Sequence, residues 1–110
     1  MNNHFQRVEN LKALQELLAQ SAEKPVVIFK HSTTCSVSAG AYEEMAAVGG
    51  EVALVDVQSA RDISREIAMS TGVEHESPQV IILRNGKPVW HTSHWSITKE
   101  TVEKALRENP

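Results

Sequence analysis

A chain of 110 residues with 11 basic and 14 acidic side chains and a formal charge of −3 has room for one hydrophobic core and not for two. That balance supplies no positive field for nucleic acid or for an anionic membrane surface, so neither partner is expected. The start Met1-Asn2-Asn3-His4 has no basic stretch leading into an apolar one and no run reaches the length of a bilayer span, which, with one unpaired cysteine, predicts a single domain over 1–110 in the reducing cytoplasm.

In chain order, residues 5–8 predict a short edge strand. Leu11, Leu14, Leu17 and Leu18 then recur at helical spacing behind Asn10, a good N-cap. The polar run 21–25 closes on Pro25, which resists helix, and Val26 to Phe29 form a continuous apolar run suited to a strand covered on both faces. Val37, Ala41, Tyr42, Met45 and Val48 make one helical stripe, weakened at Gly40 and stopped by Gly49-Gly50. Val52 to Val57 give a second apolar strand, which should run parallel to the first across the intervening helix.

Ser59, with Asp62 three residues later, predicts a helix start; Ile63, Ile67 and Ala68 point inward and the helix stops near Gly72. Val80 to Leu83, the turn pair Asn85-Gly86 and Val89-Trp90 read as a hairpin. Thr98 predicts the cap of a last helix reaching Glu108, with Ile97 and Val102 as a hydrophobic staple and Leu106 facing the core. The order helix, strand, helix, strand, helix, hairpin, helix resembles the thioredoxin-like α/β fold, a three-layer sandwich with a central mixed sheet of four to five strands. In that fold the reactive group follows the first core strand, and a cis-proline just before the hairpin faces it. Cys35 and Pro78 occupy those places.

Cys35 stands where the apolar strand gives way to a polar loop and a helix begins. A thiol among unpaired helix N–H groups, near the positive end of the dipole, is favoured as thiolate, the form that attacks disulfides. A buried and inert cysteine is the alternative for an isolated residue of this type. The spacing Cys35-Ser36-Val37-Ser38 puts a hydroxyl where a dithiol oxidoreductase carries its second sulfur, so the chain cannot close its own disulfide.

Lys30-His31-Ser32-Thr33-Thr34-Cys35 with Ser38, the segment His75-Glu76-Ser77-Pro78-Gln79, the turn Asn85-Gly86-Lys87 and the run from Trp90 to Thr98 together resemble the monothiol bacilliredoxins of the YtxJ type. The resemblance implies a thiol–disulfide oxidoreductase that removes bacillithiol from mixed disulfides on cytoplasmic proteins. It implies no bound cofactor, bacillithiol as co-substrate, and a monomer. Cys35 and Ser38 are then the catalytic residues, and Lys30, His31, Thr34, Ser77, Pro78, His94 and Trp95 line the bound thiol. The family's usual proline after the cysteine is replaced by Ser36, which restores an N–H beside the sulfur and loosens the turn.

Each role has a plainer alternative. Ser38 either donates a hydrogen bond to the thiolate or is a serine on the helix surface. Lys30 and His31 either lower the thiol pKa or receive a carboxylate of the small thiol, or, for His31, make a loop hydrogen bond to backbone. The backbone of Ser77 is expected to pair with a bound peptide or thiol as an added strand does, provided the Ser77–Pro78 bond is cis. The stretch 93–98 precedes a helix N-terminus, a natural anion seat; Trp95 either covers the bound thiol or packs at the rim, and Trp90 reads as packing. Asp56 is expected to shape a turn. His91 and His94 make a poor zinc set with one distant cysteine, so no metal is expected. An iron–sulfur carrier of the monothiol glutaredoxin kind and a redox-inert binding module are the competing functions. Ser36 and Val37 disfavour the first, and ordinary alkylation rates would support the second.

Overall fold

The computed structural model describes residues 4–110. The expectation that the chain starts without a secretion signal at Met1, Asn2 and Asn3 falls outside the described residues. Five strands, β1 (Phe5–Arg7), β2 (Val26–His31), β3 (Val52–Asp56), β4 (Gln79–Arg84) and β5 (Lys87–Ser93), alternate with α1 (Leu11–Gln20), α2 (Ser36–Ala46), α3 (Arg61–Thr71) and α4 (Lys99–Glu108). The strands form one mixed sheet in the order β1-β3-β2-β4-β5. β1, β3 and β2 run parallel, and β4 and β5 are antiparallel additions beside β2. Among the described residues no helix is long and apolar enough to cross a membrane.

β2 lies at the centre, which explains its unbroken apolar run: alternate side chains enter two different cores. Val26 and Ile28 join Leu14, Ile63 and Ile67 beneath α1 and α3. Val27 and Phe29 join Ala41, Met45, Ile97 and Val102 beneath α2 and α4. The result is the expected thioredoxin-like three-layer sandwich with five strands. A type I′-like turn at Asn85 (φ 55°) and Gly86 (φ 74°) closes the β4–β5 hairpin, the backbone conformation that the Asn-Gly pair favours.

Caps decide the helix boundaries. The Asn10 side chain accepts the Ala13 N–H at 2.8 Å, and Thr98 accepts the Thr101 N–H at 3.1 Å in a capping box whose reciprocal member is Thr101. Ile97 and Val102 are both buried in one cluster, and Leu106 packs against it, as the staple pattern requires. Ser59 does not start α3. Its N–H is bound by the Asp56 carbonyl at 3.2 Å, the N-cap is Ala60 with no side-chain cap, and the Asp62 carboxylate accepts the Ile63 N–H at 2.9 Å. The turn that Asp56 builds shifts the helix start by one residue: its carbonyl takes the Ala60 N–H and its carboxylate the Gln58 N–H.

β2 also runs on through Lys30 and His31, past the apolar stretch, because both pair with β3 at Val55 and Asp56. A short 3-10 helix (His94–Ser96), absent from the sequence expectation, joins β5 to α4 and packs against α2. Thr98→Ala should lower stability by about 1 kcal/mol through loss of the α4 cap. Ser59→Ala should change it by no more than about 0.5 kcal/mol, and chemical denaturation of both variants checks the difference.

Candidate active site

Beyond His31 the chain leaves the sheet for the turn 32–35 and enters α2 with Cys35 as N-cap, in extended conformation (φ −110°, ψ 127°). The Cys35 N–H donates to the Ser32 carbonyl at 3.4 Å, and the Cys35 carbonyl accepts the Ala39 N–H at 3.1 Å. The residue is half-buried and its sulfur is unpaired. An N-cap thiol lies beside the orphan N–H groups of the first turn, where negative charge is favoured. Ser36 is the first helical residue and is exposed.

Ser38 is fully buried, so it is not a serine on the helix surface. Its Oγ accepts the Ser32 N–H at 2.9 Å and pairs with His31 Nδ1 at 3.0 Å. The expected donation to Cys35 is not among these bonds; the hydroxyl instead ties the start of the turn to the helix that follows it. Burial pushes the His31 pKa down, partly offset by the Asp56 charge and by the hydrogen bond to Ser38. His31 is therefore neutral at pH 7 and does not act there as the cation expected beside the thiol. Its ring packs between Phe29 and Tyr42, with centroids at 5.5 and 4.9 Å.

A second brace comes from outside the segment. Gln58, just after β3, donates from Nε2 to Ser32 Oγ and Thr34 Oγ1, both at 2.8 Å, and its Oε1 accepts the Thr33 N–H at 3.1 Å. The Val57 N–H donates to the His31 carbonyl at 3.0 Å, so the chain after β3 is laced along the whole turn. Thr34, expected to touch the thiol, is exposed and held by Gln58.

Lys30 departs furthest from expectation. Alternation along β2 sends its side chain to the α3 face, where it is fully buried. Its Nζ meets His75 Nδ1 at 3.2 Å, and Ser64 Oγ reaches the same nitrogen at 3.0 Å. An ammonium only donates, so Nδ1 accepts and the ring proton sits on Nε2. Burial pushes the Lys30 pKa down to about 8. The His75 pKa is also lowered, by burial and then by the Lys30 charge, with Glu76 opposing. Lys30 thus lies beneath His75 rather than on the surface that would receive a carboxylate directly.

The Ser77–Pro78 peptide is cis. Because Lys30 pairs with Gln79 in the antiparallel β2–β4 ladder, Pro78 lies across from His31, at the sheet end where the Cys35 turn begins. Ser77 Oγ is buried without a hydrogen-bond partner, and among the described residues no backbone hydrogen bond engages the Ser77 N–H or carbonyl. The Pro78 carbonyl accepts the His94 N–H at 3.0 Å, which fastens the 3-10 helix beside it. His94 takes a left-handed conformation (φ 56°), and its Nδ1 lies 3.2 Å from Glu76 Oε1, which also accepts the Ser93 hydroxyl at 3.0 Å. Trp95 is 77% exposed and Trp90 packs against the core, so the two tryptophans divide as rim and packing residues.

Gln58, His75 and Glu76 were not among the site residues expected from sequence. Their partners lie far away along the chain, and a lone glutamine after a strand carries no local signal. Among the described residues no group of three or more His, Cys, Asp and Glu side chains is placed to hold a metal ion. Ser38→Ala should lower stability by about 1–3 kcal/mol, since it strips a buried turn of its acceptor. It should also slow alkylation or exchange at Cys35 only through a loosened turn, a loss that Ser38→Thr partly restores; denaturation and iodoacetamide kinetics on both variants check this.

Comparison with known proteins agrees with this architecture. A solved structure described as a candidate oxidoreductase with a thioredoxin fold is 30% identical, with a TM-score of 0.85 over 93% of each chain. Thioredoxin from Fasciola hepatica matches at 14% identity with a TM-score of 0.76 over 96% of this chain and 99% of that one. Reduced thioredoxin of Schistosoma mansoni matches at 20% and 0.70, over 96% and 98%. At such identities the two thioredoxins share the fold alone. The family model described as monothiol bacilliredoxin BrxC matches residues 6–102. With its one cysteine at the head of α2 and a cis-proline across the sheet end, the chain belongs to the monothiol bacilliredoxin BrxC family.

Proposed function

We propose that the protein removes bacillithiol from mixed disulfides on cytoplasmic proteins by single-cysteine exchange. The observation that carries this reading is the placement of the only sulfur nucleophile at the α2 N-cap, with the unpaired Ser77 backbone beside a cis-proline at the same end of the sheet. In the first step the Cys35 thiolate attacks the bacillithiol sulfur of the mixed disulfide. A Cys35–bacillithiol disulfide forms, and the client leaves as its thiolate. In the second step a free bacillithiol thiolate attacks the bacillithiol sulfur on Cys35, which restores the Cys35 thiolate and carries the oxidising equivalent away as bacillithiol disulfide. The chain has no second cysteine to resolve the intermediate internally, so the second thiol must come from solution.

Ser38 and Gln58 hold the turn 32–35, so Cys35 attacks from a fixed position rather than a mobile loop. Ser77 offers its backbone to the client chain as an added strand would, with no backbone hydrogen bond among the described residues to compete for it. Trp95, exposed on the 3-10 helix against α2, is the residue this reading assigns to cover the small thiol, with His94 and Thr34 as further contacts.

Intact-mass analysis after mixing the reduced protein with a bacillithiolated model protein tests the reading. A bacillithiol adduct should appear on this chain as the model protein is freed, and Cys35→Ser should abolish it. A glutathione-carrying model protein serves as control and should exchange more slowly. Absence of transfer from either substrate, with the thiol still alkylated by iodoacetamide, would replace the exchange reading with that of a redox-inert binding module.

A further inference from the structure

A cleft of about 450 Å³ opens between α3 and the segment after β3, lined by Val57, Gln58, Arg61, Ser64, Arg65 and His75 together with Ala68. Its volume lies in the range of small-molecule sites. A second cleft, of about 390 Å³, lies around Val26, Val27 and Gly49 at the opposite end of β2, away from Cys35.

The wall chemistry of the first cleft is one-sided. Arg61, Ser64, Arg65 and Ala68 fall at i, i+3, i+4 and i+7, so one face of α3 forms a wall while Ile63 and Ile67 enter the core. Asp62 and Glu66 are not among its lining residues, and among the described residues neither arginine makes an ion pair or a side-chain hydrogen bond. Opposite them, His75 presents an imidazole whose Nδ1 is occupied by Lys30 and Ser64, which directs its N–H at Nε2 away from them. The buried Lys30 ammonium lies behind that ring with no carboxylate in contact. The N-cap of α3, Ala60, supplies no side-chain acceptor to its first turn. Two unpaired guanidinium groups and an imidazole line a concave site with a buried ammonium behind its wall, and among the described residues no carboxylate lines it.

The position of the cleft is equally specific. Gln58 forms part of its wall and also donates to Thr34, the residue before Cys35. His75 forms another part and stands two residues before Ser77. The cleft is therefore tied to the Cys35 turn through Gln58 and to the segment before the cis-proline through His75.

We propose that this cleft seats the carboxylate end of the small thiol while its sulfur is exchanged at Cys35, with Arg61 and Arg65 as the pairing cations. The assignment rests on the bacillithiol exchange proposed above. Bacillithiol ends, away from its thiol, in a malyl dicarboxylate, and arginine forks match carboxylates in paired hydrogen bonds. Glutathione shares carboxylate chemistry, so the second measurement below is also run on a glutathione mixed disulfide, which tells whether the cleft serves one thiol or both.

Two measurements decide the matter. In the first, the Cys35→Ser protein is titrated with L-malate, and with its neutral dimethyl ester as control, while backbone amide resonances are followed by NMR. Saturable shifts at Gln58, Arg61, Arg65 and His75 with malate alone, weakened by added salt, are expected. No saturable shift, or equal shifts with the ester, would overturn the proposal. This arm needs no exchange activity, so it stands even if bacillithiol transfer fails. In the second, the Arg61→Gln/Arg65→Gln double variant is compared with wild type on a bacillithiol mixed disulfide and on an uncharged 2-mercaptoethanol one. A loss of about tenfold confined to the carboxylate-bearing substrate is expected from removal of charge-assisted pairing. Equal loss on both, or loss on neither, contradicts it.

Discussion

The Ser32 N–H, released from the sheet where β2 ends, finds its acceptor in the buried Ser38 hydroxyl, and the position of the reactive sulfur depends on that bond. A strand-to-helix turn would otherwise leave backbone donors facing a dry interior, at a cost of about 1–3 kcal/mol each. Ser38 closes the gap from inside α2, so helix and turn cannot move independently. His31 seals the other side: its ring contacts Ser38, Phe29 and Tyr42, and its neutral state at pH 7 keeps the junction free of a buried charge. The hydroxyl that replaces a second sulfur in Cys35-Ser36-Val37-Ser38 is therefore a structural brace.

From that fixed point the surroundings of Cys35 divide into two unlike flanks. On one side the 3-10 helix, fastened by the Pro78 carbonyl and by the contacts of Glu76 with His94 and Ser93, presents Trp95 to solvent. On the other, Gln58 leads into a cleft walled by unpaired arginines. The exposed Glu76–His94 pair contributes little to stability and serves mainly to orient the segment. A surface with an exposed indole at one edge and cationic at the other suits a ligand with a bulky body and an anionic end.

The order of elements along the chain, the cysteine at a helix start and the proline before the hairpin were legible in the sequence because each is written locally. Val26 to Phe29 is a run suited to a strand covered on both faces, Asn85-Gly86 a pair that favours a tight hairpin, and Thr98 a cap followed by its staple. What was illegible depends on partners distant in sequence. Lys30 looked like a surface cation at a strand end, yet pairing with Val55 and Gln79 extends β2 and buries it against His75. Ser59 looked like a cap, but the Asp56 turn consumes its N–H and passes the role to Ala60. The burial of Ser38 had a signal: Ser38, Ala41, Met45 and Val48 fall on one helical stripe, and a polar residue on such a stripe is buried with a partner. Gln58 had none, since its bonds to the turn span 24 to 26 residues.

A single-cysteine cycle has a kinetic signature that a dithiol or an inert module lacks. The most direct measurement is the release of reduced client from a bacillithiolated protein as a function of free bacillithiol. Without free bacillithiol, release should stop at one equivalent per Cys35, and added bacillithiol should restore turnover in proportion to its concentration while bacillithiol disulfide accumulates. Turnover that continues without free thiol, or that persists in Cys35→Ser, would contradict the account.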